Sequence, residues 1–217
     1  MKDLIPVWKP TNMTSYDVIR KIQSINSEIK VGHCGTLDPF ASGVLLLCVG
    51  KNTKNISKFM LLNKVYHATI NLNEETDTLD LTGKIIKKKN KSIKITKKNI
   101  EKSILELTGI NTSQIPPYFS AKKFHGLKMY EYARNDIFIR RKPFFVNIHS
   151  ISLKAYSDSA IKIKVNCGKG VYIRSIARDL AYKLKTYGYL KELVRSEIGD
   201  YNISNCYQIE DLPNVCS

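Results

Sequence analysis

The sequence predicts a mixed α/β fold for this chain of 217 residues. Two hydrophobic patterns lead to that class. Apolar and polar residues alternate in several short segments, as in half-buried strands, while in other segments apolar residues recur at helical spacing. We find no internal repeat and no linker, so a single domain over residues 1–217 is expected, long enough to bury a sizeable core.

In the first half of the chain, strands and helices are expected to alternate. A helix is predicted over Tyr16 to Ile29, because Thr14 or Ser15 can cap it and its apolar residues recur every three to four positions. A second, shorter helix is expected between residues 55 and 62. The predicted strands of this half are Leu4–Trp8, Val44–Val49 and Val65–Leu72.

In the second half, a turn at Gly83 leads into a lysine-rich strand or hairpin. Thr96 is positioned to cap a helix that runs through Leu107. Paired prolines exclude regular structure in residues 114–121, which are expected to form a surface loop. The remaining predictions are a short helix over 127–134, half-buried strands between 144 and 165, a turn at 168–170, a helix over 175–184 and a last turn at 209–212.

The charge of the chain indicates a polyanionic partner. Lys and Arg number 35 against 19 Asp and Glu, a formal net charge of +16. RNA, DNA and an anionic membrane surface all fit this excess. Eight lysines lie between Lys84 and Lys98, a segment that is either a solvated edge or an RNA contact. Arginines bind phosphate in a planar fork and are the better candidates: Arg134, Arg140, Arg141, Arg174, Arg178 and Arg195.

The five cysteines are scattered and form no CxxC pair: Cys34, Cys48, Cys167, Cys206 and Cys216. Neither a disulfide framework nor a zinc site is expected from such spacing, so reduced thiols and a cytoplasmic location are predicted. No apolar run approaches the roughly 20 residues that span a bilayer, and the first residues are too weakly apolar for a signal peptide.

One carboxylate, Asp38, lies in a loop rich in glycine and proline. Gly32, Gly35 and Gly43 permit turns, and Pro39 fixes the chain directly after the acid. An Asp–Pro pair in such a stretch is often only a turn or a cap. The apolar strand predicted directly after the loop would anchor it, which favours an active-site loop on a rigid support.

The segment GHCGTLDPFASGVL resembles the catalytic motif GHxGTLDPxAxGVL of pseudouridine synthases of the TruB type, which isomerise a uridine in the tRNA T loop. Three further segments resemble the family's KGTYIR, QxPPxYSAxK and GxxxYExAR elements, and the resemblance extends from Lys9 to Gly199. It implies the pseudouridine synthase fold, a mainly antiparallel sheet flanked by helices and RNA-binding loops. It also implies tRNA as the partner and no metal or organic cofactor.

The resemblance assigns three residues to the chemistry. Asp38 is implied as the nucleophile, attacking either the ribose or the uracil ring. A carboxylate attacks only when ionised, and the family's arginine, here Arg174, pairs with it. Tyr66 matches the tyrosine that stacks on the target uracil, close to the proton that is removed.

The same resemblance implies residues that bind the substrate and the rest of the RNA. His33 would fill the space left by extruded bases, Tyr172 would wall the pocket and Leu193 would cover the base. Lys9, Gly32 and Thr36 complete the expected substrate-binding set. A mobile segment near 114–143 is expected to clamp the T arm. The expected RNA contacts are Lys122, Lys123, Tyr130, Arg134 and Arg195.

The sequence departs from the family pattern at single positions and at its end. Asn12 replaces a glycine, although Asn tolerates a left-handed backbone. Phe119, Val171 and Val194 replace the family's tyrosine, threonine and arginine. After Gly199 the chain is too short for the separate C-terminal RNA-binding domain of the PUA type, so the catalytic domain is expected to bind RNA alone, as a monomer without an obligate protein partner.

Two other functions are considered beside a tRNA pseudouridine synthase. A guide-RNA-dependent synthase acting on ribosomal RNA is disfavoured, because the chain has neither a long C-terminal RNA-binding module nor an extended N-terminal arm. A noncatalytic chaperone that folds tRNA is disfavoured by the joint presence of Asp38, Tyr66 and Arg174.

Overall fold

A computed structural model describes residues 3–90, 94–135 and 137–216. Its helices are α1 (Ser15–Ile25), α2 (Ile56–Met60), α3 (Lys97–Leu107), α4 (Met129–Arg134), α5 (Ile173–Lys183) and α6 (Leu212–Cys216). Its strands are β1 (Leu4–Lys9), β2 (Val31–His33), β3 (Ser42–Val49), β4 (Lys64–Leu72), β5 (Glu74–Thr76), β6 (Ile85–Lys88), β7 (Gly109–Gln114), β8 (Lys123–Phe124), β9 (Leu127–Lys128), β10 (Phe144–Tyr156), β11 (Ala160–Cys167), β12 (Gly188–Ile198) and β13 (Tyr201–Asn202).

The main sheet has the strand order β1-β3-β12-β4-β11-β10-β7, with β2 on β3 and β13 on β12. The pairs β1–β3, β2–β3, β12–β13 and β10–β7 are antiparallel, and β3–β12 is parallel. Two antiparallel hairpins, β5–β6 and β8–β9, lie outside this sheet. The predicted mixed α/β class with a mainly antiparallel sheet is confirmed. Of the helices described, none combines the length and apolar character needed to cross a membrane.

Contacts between residues divide the chain into two compact units. The first unit contains Met1–His67, Asn166–Lys169 and Leu193–Ser217. The second contains Ala68–Val165 and Gly170–Glu192. Strands β4, β11 and β12 carry residues of both units.

Strand β3 forms the centre of the first unit because it is buried on both faces. Leu45, Leu47 and Val49 pack against β1 and α1 on one face. Val44, Leu46 and Cys48 face a second cluster that includes residues of α2. Each such side chain contributes roughly 1.5–3 kcal/mol when fully buried. This two-sided burial explains the uninterrupted apolar run from which the strand was predicted.

Helix α1 begins as predicted and ends earlier than predicted. Thr14 caps it in a capping box with Asp17. The helix stops at Ile25, because the next residue has an extended backbone. Ile29 still packs on the core from outside the helix, which explains why its spacing suggested a longer helix. The capping of α3 by Thr96 and the lysine-rich hairpin at β6 were also predicted correctly.

Other elements in the second half of the sequence correct the predictions. The sequence suggested no strand at β12 or β7, where charged or polar residues interrupt the apolar pattern. The predicted surface loop after Gln114 is packed inward, with Pro116 and Pro117 buried. The helix expected from residue 127 starts at Met129, after the short strand β9. Lys91, within the lysine-rich segment, lies outside the described residues.

Candidate active site

The loop between β2 and β3 carries Asp38 in a tight turn. The backbone N–H of Ala41 donates to the carbonyl of Asp38 at 3.1 Å. Proline suits the second position of such a turn because its φ is already fixed, and Pro39 occupies it. The side chain of Asp38 is half-buried. The carboxylate is therefore held by a folded loop, as predicted from Pro39.

Lys9 lies in the interior and binds backbone carbonyls of this loop and of its neighbouring segment. Its side chain is fully buried, and its ammonium donates to the carbonyls of Met13 and Ala41, each at 2.6 Å, and of Pro10 at 2.8 Å. A longer contact of 3.4 Å reaches the carbonyl of Pro39. The predicted direct contact of Lys9 with substrate is therefore not supported, since its donors are directed at the protein backbone.

Ser15 and Asn12 attach the loop to the start of α1. The Ser15 hydroxyl accepts from the N–H of Leu37 at 2.9 Å and lies 3.2 Å from the carbonyl of the same residue. The N–H of Asn12 donates to the carbonyl of Pro39 at 2.8 Å. Asn12 has φ of 61°, the left-handed conformation expected where the family has glycine.

Arg195 fixes the two ends of the loop. Its side chain is 1% exposed, and its guanidinium donates to the carbonyls of Val44 at 2.7 Å, Gly35 at 3.2 Å and Thr36 at 3.3 Å. The prediction that Arg195 contacts RNA is wrong for this structure, because a buried guanidinium bonded to two carbonyls of the loop and one of β3 does not reach a phosphate. Its role is to position the backbone on both sides of Asp38.

Three glycines in and beside the loop serve two different needs. Gly35 has φ of 119°, which confirms the predicted turn, whereas Gly43 has φ of 127° but lies within β3. A Cβ on Gly43 would lie 2.2 Å from the carbonyl oxygen of Arg195. Gly32 belongs to β2 and lacks a positive φ, so its assignment to a turn is wrong. A Cβ there would meet Ile56 Cδ1 at 2.5 Å, and the position needs a small residue.

The first unit also places the other predicted pocket residues. Tyr66 on β4 and Leu193 on β12 are buried, at 8% and 5% exposure, His33 is half-buried and Thr36 is exposed. Burial raises the pKa of the Tyr66 hydroxyl, so the phenol stays protonated at neutral pH. Burial, and then Arg195, lower the pKa of His33 and favour its neutral imidazole.

Two buried lysines share the electrostatics of this unit. Burial and then Arg195 lower the pKa of Lys9 to about 8, while Asp38 acts in the opposite direction. Burial and then Arg195 also lower the pKa of Lys64 to about 8. The Lys64 ammonium donates to the carbonyls of Leu62 at 2.5 Å and Met60 at 2.6 Å. The Asp38 carboxylate thus offsets part of a local excess of buried positive charge.

In the second unit, Arg174 lies in the first turn of α5 and is 6% exposed. Its guanidinium donates to the carbonyls of Thr78 at 2.9 Å and Phe119 at 3.0 Å. Asp80 forms an ion pair with it at 3.3 Å. The Asp80 carboxylate also accepts hydrogen bonds from the hydroxyls of Thr82 at 2.6 Å and Thr78 at 2.8 Å. Arg174 is therefore oriented by a network of neighbours.

Asp80 was not predicted from the sequence as a residue of the site. The only signal for it was the Thr- and Asp-rich turn between Thr76 and Gly83, a composition typical of turns in which side chains bond to the backbone. Leu79, inside that turn, has φ of 61°, a conformation that is costly for leucine. The packing around Arg174 and Asp80 holds this strained turn in place.

The Gln114–Ser120 segment docks on the start of α5. Gln114 accepts from the N–H of Tyr172 at 2.9 Å and donates to its carbonyl at 3.2 Å. The carbonyl of Ile115 accepts from Ser175 at 2.8 Å and from Arg178 at 3.1 Å. These bonds fix the position of Tyr172, whose ring packs edge-on against that of Phe144, with 6.0 Å between the ring centroids.

An exposed basic and aromatic segment follows. Lys123 and Arg134 are exposed, and Lys122 and Tyr130 are half-buried. The Lys122 ammonium lies 3.9 Å from the Phe144 ring centroid, and the Arg134 guanidinium lies 5.2 Å from that of Tyr130. Cations beside aromatic rings on an open surface suit contacts with nucleic acid phosphates and bases.

Comparison with known proteins identifies the family to which this chain belongs. The model of the TruB family pseudouridylate synthase (N terminal domain) matches residues 20–173, well over half of the chain. The chain belongs to the TruB family.

Full-length relatives agree with that assignment. The tRNA pseudouridine synthase B of Ureaplasma urealyticum is 41% identical over 213 residues, which cover 97% of this chain and 92% of that protein. The protein of the same name from Dehalococcoides mccartyi is 39% identical over 212 residues, covering 98% of this chain and 70% of its own. The one from Onion yellows phytoplasma is 43% identical over 213 residues, covering 98% and 75%.

A solved structure described as a Cbf5-Nop10-Gar1 complex matches with a TM-score of 0.74 and 23% identity. The match covers 97% of this chain and 53% of that one, so the TruB chain spans about half the length of the solved protein. At this identity the likeness concerns the fold alone.

The TruB site residues fall into two groups by unit. Asp38, Tyr66, His33 and Leu193 belong to the first unit, and Arg174, Tyr172 and the basic segment belong to the second. The pairing of Arg174 with Asp38 joins residues of different units and stays a prediction. Within the described ranges, no group of three or more His, Cys, Asp or Glu side chains could hold a metal ion.

Proposed function

We propose that this TruB chain is a tRNA pseudouridine synthase that isomerises the T-loop uridine. Its relatives at 39–43% identity carry the name tRNA pseudouridine synthase B, and the similarity extends over nearly the whole chain. The structural observation that carries the proposal is the loop around Asp38. Lys9 and Arg195 together hold the carbonyls of four loop residues, including both neighbours of Leu37–Asp38, and Arg195 also holds the carbonyl of Val44 in β3.

Isomerisation of uridine breaks a C–N glycosidic bond, rotates the base and joins the ring carbon to the ribose. The reaction neither oxidises nor reduces the nucleoside. A nucleophile that is held in one geometry lowers the barrier, because its orientation is fixed before the substrate arrives. We assign that role to Asp38, whose loop is fixed by buried cations and whose side chain remains half-buried at the loop tip.

Two further side chains are assigned to the same reaction. Arg174 keeps the Asp38 carboxylate ionised when the nucleotide excludes water, and Asp80 positions the Arg174 guanidinium. Tyr66 stacks on the uracil, and its protonated hydroxyl lies close to the proton that is removed from the ring carbon. Leu193 covers the base and His33 occupies the space that the flipped nucleotide leaves.

The exposed segment with Lys122, Lys123, Tyr130 and Arg134 is assigned to the T arm. Its cations would bind phosphates and its rings would stack on unpaired bases. We infer that the chain acts as a monomer in the cytoplasm. A guide-RNA-dependent role draws no support from the solved Cbf5 complex, because that likeness concerns the fold alone.

The decisive experiment maps pseudouridine in an unmodified tRNA transcript after incubation with the protein. The wild-type chain is expected to convert the T-loop uridine. Asp38→Asn keeps the shape of the side chain without its charge, and its turnover is expected to fall roughly a thousandfold or more. Asp200→Asn, an exposed aspartate of the same unit, serves as the matched control and is expected to retain activity.

Two results would contradict this proposal. Absence of T-loop pseudouridine with the wild-type protein would contradict the proposed function. Turnover of Asp38→Asn within about tenfold of the wild type would contradict the assignment of Asp38 as the nucleophile.

A further inference from the structure

An open cleft of about 600 Å³ lies in the second unit, between the β5–β6 hairpin and the end of α5. Four of its lining residues are lysines, and no lining residue is acidic. The lining residues are Lys87, Lys88, Lys89, Asn90, Tyr182, Lys185, Thr186 and Tyr187. None of the residues assigned to catalysis or to the T-arm surface is among them.

The hairpin and the end of α5 are held together around this cleft. The N–H of Lys89 donates to the carbonyl of Asn73 at 2.8 Å, and the N–H of Asn73 donates to the carbonyl of Tyr187 at 2.9 Å. The hydroxyl of Thr186 donates to the side chain of Asn73 at 2.9 Å. The cleft walls are therefore fixed relative to each other by the backbone, which preorganises the lysines that they carry.

The four lysines differ in how their charge is balanced. Lys87 pairs with Glu75 at 2.7 Å, and Lys88 pairs with Glu74 at 2.8 Å. The Lys89 ammonium donates instead to the carbonyl of Lys185. No carboxylate within the described part of the chain forms an ion pair with Lys89 or Lys185. A neutral carbonyl satisfies a hydrogen bond without cancelling the charge, so the cleft keeps a positive excess.

Lys185 occupies a backbone position that favours glycine. Its φ is 59°, and two hydrogen bonds, from Lys185 N–H to Tyr182 and from Thr186 N–H to Ala181, close the end of α5 as in a Schellman motif. The left-handed residue of that motif is usually glycine, because a Cβ is strained there. The fold tolerates this strain at a position whose lysine lines the cleft, which is the pattern of strain kept at functional sites.

The aromatic side chains complete a site suited to phosphate. The Lys87 ammonium lies 2.7 Å from the Tyr182 hydroxyl, and 5.2 Å and 5.5 Å from the ring centroids of Tyr182 and Tyr187. Residues with hydroxyl, amide and ammonium donors thus line one open cavity. Such donors bind phosphate oxygens of a polynucleotide backbone, and lysine does so as a point charge that requires no particular base.

We propose that this cleft binds a backbone phosphate of the RNA substrate, outside the site that holds the target uridine. The proposal rests on the proposed function for the identity of that RNA as tRNA. Along α5, Tyr182 lies eight residues after Arg174, about 12 Å at 1.5 Å per residue. The cleft therefore binds a part of the RNA other than the nucleotide beside Arg174, and it adds affinity without touching the reacting atoms.

The competing explanation is that the lysines only complement the dipole at the end of α5. A double variant separates the two roles. In Lys185→Gly with Lys89→Gln, glycine relieves the left-handed backbone while both unpaired charges disappear. The matched control is Lys154→Gln with Lys162→Gln, two exposed lysines of β10 and β11 that do not line the cleft.

The experiment measures the affinity of each full-length protein for an unmodified tRNA transcript across a salt series. The cleft variant is expected to bind about three- to tenfold more weakly at low salt, and its log–log salt slope should be shallower by about one or two. The control should change less in both quantities. The urea midpoint of the cleft variant should not fall, and its turnover at saturating tRNA should match the wild type.

Three results would overturn the proposal. The first is a cleft variant whose tRNA affinity and salt slope equal those of the control. The second is a lower urea midpoint with unchanged affinity, which would assign the lysines to helix capping. The third is binding of inorganic phosphate, detected by NMR shifts of cleft residues, with unchanged tRNA affinity, which would indicate a small-anion site. If the wild type forms no pseudouridine but the salt slope of the cleft variant changes as expected, the proposed function is contradicted while phosphate binding in the cleft is supported.

Discussion

Gly43→Ala is expected to destabilise the first unit strongly, and the structure gives the size of the effect. Gly43 has φ of 127°, where any side chain costs about 1–3 kcal/mol. A Cβ would also lie 2.2, 2.7 and 2.8 Å from the carbonyl oxygen, nitrogen and carbonyl carbon of Arg195. These are backbone atoms of β12, and Gly43 pairs with Lys9 of β1 on its other side. Neither strand can therefore move away without disturbing its pairing with β3. Overpacking of this kind costs about 1–3 kcal/mol more.

The two effects together remove about 2–6 kcal/mol from a stability that is typically 5–15 kcal/mol. With a urea slope of about 2 kcal/mol per molar, the midpoint of unfolding should fall by about 1–3 M. Trp8 reports on this region, because it is the single tryptophan and pairs with Val44 in the β1–β3 ladder. Its fluorescence is followed during urea titration of the variant and the wild type.

Gly50→Ala is the matched control for Gly43→Ala. Gly50 directly follows β3 and has φ of 57°, but a Cβ there meets nothing within 4 Å. It carries only the cost of the left-handed backbone, about 1–2 kcal/mol. The difference between the two variants therefore isolates the contact with Arg195. Equal midpoints for Gly43→Ala and Gly50→Ala would refute the claim that close packing of β3 on β12 fixes the Asp38 loop.

Three other changes test individual groups. Tyr66→Phe should keep tRNA affinity and slow single-turnover pseudouridine formation, because the ring remains and the hydroxyl is lost; full activity would leave Tyr66 a stacking role only. Asp80→Asn should lower the free energy of unfolding by about 3 kcal/mol and reduce kcat more than it raises KM, because it removes the carboxylate that forms an ion pair with the buried Arg174; unchanged stability and kcat would contradict a positioning role for this ion pair. Because the pKa of His33 is lowered in the folded protein, the unfolded chain binds the imidazole proton at higher pH, and the free energy of unfolding falls as pH drops through 6.5. In His33→Gln this part of the pH dependence should disappear from urea midpoints measured between about pH 7.5 and 5.5. A pH profile equal to that of the wild type would contradict the burial of a neutral His33.

The elements that were predicted correctly are those whose signal is local. Strand β3 is a continuous apolar run because both its faces are covered, and α1 carries its own capping box. Strand β12 has no such local signal, since its sequence alternates charged and apolar residues irregularly. It is a strand because Val194 pairs with Ser42, far away in the sequence. A pairing of this kind depends on tertiary context that propensity alone does not contain.

The same distinction applies to the candidate site. The turn at Asp38 and the positive φ at Asn12 follow from residue types within the loop, and both were predicted. The roles of Lys9 and Arg195 were not predicted correctly, because an ionic side chain in a sequence ordinarily indicates a surface. Their burial depends on carbonyl oxygens that face inward from other segments, and Val44 is separated from Arg195 by 151 positions.

The two buried cations also explain how one carboxylate can be carried on so short a loop. Burial of Lys9 and Arg195 is costly unless each ion is surrounded by acceptors, and carbonyls of the loop and of its flanking segments supply these acceptors. The cations therefore require the loop to keep one conformation. Asp38 lies within the electrostatic range of Lys9, whose pKa it raises against the effects of burial and Arg195. The buried cations thus fix the loop backbone on both sides of Asp38, so the position of this residue is set before any ligand binds.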